Sequence, residues 1–150
     1  MRGEPLSYGD AHRSPPLSRV VETAVYVSDL ARSRAFYCDL LGTEVLLDTP
    51  RLLALSVGGQ SVLLLFQRGA TTEPLETPGG VVPPHGASGV QHFAFAITPE
   101  ALGEWRDHLA RSGVAVESEV RWPRGGTSLY LRDPDNHSVE LITPGLWAIY

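Results

Sequence analysis

The order strand, helix, strand, strand, strand can be traced twice along this sequence, and that repeat limits the fold more than any other feature. In the first pass, residues 20–27 (VVETAVYV) are rich in β-branched residues, and the next stretch, SDLARSRAFYCDLLG, reads as a helix capped by Ser28 or Asp29 and stopped by Gly42. Strand-like runs follow at 44–47, 52–57 and 61–67, with Gly58-Gly59 as a hairpin turn. In the second pass the strand is 91–97 and the helix 99–112, with Thr98 as N-cap, Pro99 at the first helical position and Gly113 as the stop. Further strands are expected at 115–120, 128–132 and 138–143. Glu22 then corresponds to His92, Gly42 to Gly113, the Gly58-Gly59 turn to Asp135-Asn136, and Leu63 to Glu140.

The expected organisation is a tail or arm over 1–19, a first β-α-β-β-β module over 20–68, a Pro/Gly-rich linker or lid over 69–90, and a second module over 91–150 with a C-terminal extension. The fold class is α+β, and the 69–90 segment (EPLETPGGVVPPHG at its centre) reads as too rich in Pro and Gly for regular structure.

Side chains alternate along a strand, so Phe93, Phe95 and Ile97 form a bulky face for the helix, and His92, Ala94 and Ala96 form the opposite one. In the last strand Val139 and Leu141 face the helices while Glu140 faces away. A carboxylate at such an inner position needs a partner or water. Glu22, facing away in an otherwise apolar first strand, completes three ionisable groups at cleft positions, a candidate metal site.

A net charge of −5 and a pI near 5.5 provide no basic face for phosphates, so nucleic acid is not an expected partner. No apolar run is long enough to span a bilayer, and the first nineteen residues lack the apolar core of a signal peptide. The single cysteine, Cys38, cannot form an internal disulfide and reads as a packing residue; the default setting is cytoplasmic. His12 and His108 read as tail and helix-surface residues, His137 as a turn residue that is hydrogen-bonded or in solvent, and Asp133, Asp135 and Asn136 as turn formers.

Three segments, YVSDLARSRAFYCDLLG, QHFAFAI and YLRDPDNHSVEL, resemble the vicinal oxygen chelate superfamily of glyoxalases, bleomycin resistance proteins and extradiol dioxygenases. The resemblance implies that fold and metal ligands at Glu22, His92 and Glu140. One imidazole and two carboxylates suit divalent iron, manganese, nickel, cobalt or zinc. Glyoxalase I-like proteins carry a fourth, acidic ligand on the fourth strand, where this sequence has Leu63. Extradiol dioxygenases match the three-ligand pattern and a tyrosine ten residues before the last ligand, here Tyr130, but begin with His where this chain has Glu22.

The resemblance further implies a homodimer and a small-molecule substrate that chelates the metal through adjacent oxygens. His85 and Tyr130 are the candidates for proton transfer, and Trp122 and Arg132 for substrate binding. The competing function is a metal-free antibiotic-binding or small-ligand-binding protein of the bleomycin-resistance type.

Overall fold

The computed structural model describes residues 14–150. Most of the tail expected over 1–19, with His12, lies outside the described residues, and 14–21 have no strand or helix. The first unit contains β1 (Glu22–Val27), α1 (Leu30–Arg34) continued by a π-helical segment (Ala35–Leu40), β2 (Glu44–Asp48), β3 (Leu52–Val57) and β4 (Ser61–Gln67). A short hairpin follows, β5 (Leu75–Thr77) and β6 (Gly80–Val82). The second unit contains β7 (His92–Ala96), α2 (Leu102–Arg111), β8 (Ser118–Arg121), β9 (Thr127–Arg132) and β10 (Ser138–Ile142).

The two sheets have the same topology, β1-β4-β3-β2 and β7-β10-β9-β8, each with one parallel pair and two antiparallel pairs. The expected α+β architecture is therefore present. No helix among the described residues is long and apolar enough to cross a membrane.

Three local expectations are corrected. The first helix is not α-helical to Gly42: it widens into a π segment that turns Phe36 and Tyr37 inward together, their rings edge to face at 5.0 Å. The second helix begins at Leu102 rather than Pro99, because the Thr98 hydroxyl accepts from the Ala101 N–H and closes a separate turn first. The Pro/Gly-rich segment is not wholly irregular, since the Gly79-Gly80 pair lets β5 and β6 form antiparallel strands.

The alternation read from the sequence holds. Val25, Val27, Leu53, Leu55, Leu63 and Leu65 of the first sheet share one buried cluster with Leu129, Leu131, Val139 and Leu141 of the second, and Phe93, Phe95, Leu102, Trp105 and Cys38 pack against it. The helix-side faces of both sheets thus meet in a common core, and the faces bearing Glu22 and His92 lie outside it.

Polar contacts also join the units. β1 is an edge strand, yet its free backbone groups are met by the second unit: Tyr26 N–H donates to Gln91 Oε1 at 2.9 Å and Ser28 N–H to Asp135 Oδ1 at 3.0 Å. His137 is wholly buried. Its Nδ1 accepts from Gln91 N–H, so Nε2 carries the proton given to the Tyr26 carbonyl at 2.8 Å. The turn between β9 and β10 places Asn136 at φ 67°, a conformation that Asn tolerates.

The loop before β9 is fixed by a close backbone approach. A Cβ on Gly145, at φ +114°, would lie 2.4 Å from the Gly126 nitrogen, whereas a Cβ on Gly42 would meet nothing within 4 Å. Gly145→Ala is therefore expected to destabilise by about 2–4 kcal/mol and Gly42→Ala by only about 1 kcal/mol. Urea unfolding midpoints check this, and equal losses at the two positions would contradict the steric account.

Candidate metal centre

Parallel pairing of β7 with β10 sets Ala94 opposite Glu140 and His92 opposite Ser138, so His92 and Glu140 are diagonal neighbours on the outer face. His92 Nδ1 lies 3.0 Å from the Ser138 carbonyl, which can only accept, so this nitrogen carries the proton. The lone pair of Nε2 is left facing Glu140 Oε2 at 3.4 Å. Two acceptors facing each other at that distance call for a cation between them, either a proton on the imidazole or a metal. A carbonyl fixing the distal nitrogen is the usual support of a metal-ligating histidine.

Glu140 is only 4% exposed. The Ser128 hydroxyl donates to its Oε1, and Trp122 Nε1–H donates to Ser128 Oγ at 2.7 Å. Tyr130 stands directly across from Glu140 on β9, its ring near-parallel to His92 with centroids 6.2 Å apart. Partial burial raises the Tyr130 phenol above its ordinary pKa, and the Glu140 carboxylate adds to the rise. The phenol is therefore a proton donor at neutral pH.

The other expected site residues lie elsewhere. Glu22 is exposed on the outer face of β1, and among the described residues no three His, Cys, Asp or Glu side chains converge as a metal site. His85 lies over the first sheet. Its Nδ1 is 2.6 Å from the Tyr26 hydroxyl, its ring meets Phe66 edge-on at 4.7 Å, and it exchanges backbone and hydroxyl hydrogen bonds with Thr71. His85 thus shares the outer face of β1 with Glu22. Arg132 is exposed and engaged by Glu117 and the Asn136 carbonyl, so it does not join His92 and Glu140.

The strand registers correct one correspondence. Glu22 opposite Val62 matches His92 opposite Ser138, and Ala24 opposite Leu64 matches Ala94 opposite Glu140. The counterpart of Glu140 is Leu64, not Leu63, which is buried on the helix side. The first sheet still supplies no acidic ligand on its fourth strand. Ser128 went unread in the sequence, although it lies on the alternation that marks Tyr130; Tyr26 shares the alternation of Glu22, and only its contact with His85 went unread.

A model of the Glyoxalase/Bleomycin resistance protein/Dioxygenase superfamily matches residues 19–141, most of the chain. The chain belongs to this superfamily. Its similarity to catechol-2,3-dioxygenase of Bacillus subtilis strain 168 is 32% identity over 117 residues, 77% of this chain. This chain spans only 38% of the length of that relative. Metallothiol transferase FosB of Staphylococcus saprophyticus is 29% identical over 118 residues, covering 78% of this chain and 71% of that protein. The crystal structure of lactoylglutathione lyase from Agrobacterium tumefaciens aligns with a TM-score of 0.81 and 35% identity over 90% of this chain and 100% of that one. The superfamily read from the sequence is thus the one to which the chain belongs, and these relatives bear the names of three different reactions.

Proposed function

We propose that this superfamily member is a metal-dependent enzyme in which a divalent ion is held by His92 and Glu140 of one copy and Glu22 of a second copy. The observation that carries this reading is Nε2 of His92, with Nδ1 engaged by the Ser138 carbonyl, aimed at a buried carboxylate oxygen 3.4 Å away. Glu22 occupies the position on the first sheet that His92 occupies on the second. Because the helix-side faces meet within the chain, its two outer faces cannot close on each other, and a second copy is needed to bring Glu22 to the pair. Exposed Val20, Val21 and Leu46 supply apolar surface for such a contact.

The substrate class is a small molecule with adjacent oxygens. The ion, when bound, would stabilise negative charge on those oxygens. Glu22 and Glu140 balance its charge, and Tyr130 donates a hydrogen bond to the developing oxyanion. His85, hydrogen-bonded to Tyr26 beside Glu22, moves a proton to or from substrate, and the indole of Trp122 forms an apolar wall.

Elemental analysis of protein purified without added metal is expected to find stoichiometric divalent metal; its absence would favour the metal-free binder. Glu22→Ala and Glu140→Ala are each expected to abolish metal retention. Co-expressed at equal levels, the two variants should regain about a quarter of the wild-type sites, since a mixed dimer contains one intact composite site. No recovery on mixing would place Glu22 outside a shared site.

A further inference from the structure

We infer that Trp122 and Ser128 are positioning residues that fix the orientation of the Glu140 carboxylate, with one oxygen left free for the metal. The inference rests on the metal-dependent reading above and extends it to two side chains that bind neither metal nor substrate through these bonds. An indole N–H only donates and an ionised carboxylate only accepts, which fixes the direction of the chain between them. Trp122 gives its hydrogen to Ser128 Oγ, so the single serine hydrogen goes to Glu140 Oε1. Oε1 is thereby occupied, and Oε2 remains directed at His92.

Comparison of the two units separates this arrangement from ordinary packing. By strand register the counterparts of Ser128, Tyr130 and Glu140 in the first sheet are Leu52, Ala54 and Leu64. The same fold therefore carries hydrocarbon at these positions in the first sheet and polar side chains there in the sheet that carries Glu140. The loop after β8 reinforces the difference. It is longer than its counterpart between β2 and β3 (residues 49–51), it closes on itself through Trp122 N–H to the Gly126 carbonyl at 2.7 Å, and Gly126 is pressed against Gly145. The indole is thus fixed at the depth from which its N–H reaches Ser128, which is wholly buried.

The test is calorimetric titration of full-length, metal-free protein with Co2+ alone. Ser128→Ala is expected to weaken Co2+ binding about 10- to 100-fold. Ser128→Thr, which keeps the hydroxyl, should recover most of that loss, and Trp122→Phe, which keeps the ring but not the N–H, should show a smaller loss than Ser128→Ala. Wild-type protein that takes up Co2+ together with a Ser128→Ala variant of equal affinity overturns the inference alone. Loss in Ser128→Ala without recovery in Ser128→Thr assigns Ser128 to packing and also overturns it. Wild-type protein that binds no Co2+ removes the metal reading itself, and this inference with it.

Discussion

Glu140→Gln is expected to lower affinity for a divalent metal by more than about 100-fold while leaving the metal-free protein as stable as the parent, or more stable by about 1 kcal/mol. The opposite signs follow from one fact, that a carboxylate 4% exposed lies in an inner strand between Val139 and Leu141. Its negative charge is costly to bury, and the neutral hydroxyl of Ser128 offsets only part of that cost. Glutamine keeps the volume and can still accept from Ser128, but it removes the charge. It also ends the opposition of two acceptors at 3.4 Å by offering an N–H to the lone pair of His92.

Calorimetric unfolding with and without Co2+ separates the two effects. The parent should gain thermal stability with added metal by mass action, and the variant should gain none. A Glu140→Gln protein that is stabilised by Co2+ as strongly as the parent would remove Glu140 from the ligand set.

The second large effect concerns the joint between the units. Asp133 is 5% exposed and accepts three hydrogen bonds: from the Tyr37 hydroxyl at 2.7 Å, His137 N–H at 2.8 Å and Asp135 N–H at 3.0 Å. Tyr37, on the π segment of the first unit, is wholly buried. Burial and then the Asp133 charge push its phenol well above the ordinary range, so it remains a donor. Asp133→Ala leaves that hydroxyl and two backbone N–H groups short of partners, a loss of about 4 kcal/mol. The midpoint of thermal unfolding should fall by about 10 °C.

Tyr37→Phe removes one hydrogen bond and leaves the carboxylate its two backbone donors, so its expected loss is about 2 kcal/mol. The double variant should lose less than the sum, because the two residues share the interaction. Strict additivity would show that Tyr37 and Asp133 stabilise the protein independently.

Alternation and repetition made much of the site legible. Glu22, His92 and Glu140 interrupt apolar strand patterns at corresponding faces, and burial of Val25, Val27, Val139 and Leu141 confirms which face is inward. Counting through loops of unequal length was less secure. The register slipped by one residue at Leu63, and a one-residue slip exchanges the two faces of a strand. Ser128 was hidden for a different reason. A serine among strand residues carries no signal of its own, and its role depends on the Trp122 indole reaching it from a loop. His85 was visible as an ionisable group in a Pro-rich segment, but its seat on Tyr26 and Phe66 depends on how that segment folds back over the first sheet.

The sequence by itself determined the α+β class, the duplicated unit and the face on which each ionisable strand residue stands, because these follow from local periodicity and from turn and cap chemistry. Only the tertiary structure decided that the helix-side faces meet in one core, that Glu22 therefore stands apart from His92 and Glu140, and that a half-buried indole and a buried serine support the carboxylate. Those outcomes depend on how two sheets pack and on contacts between residues distant in the chain, which local periodicity does not specify.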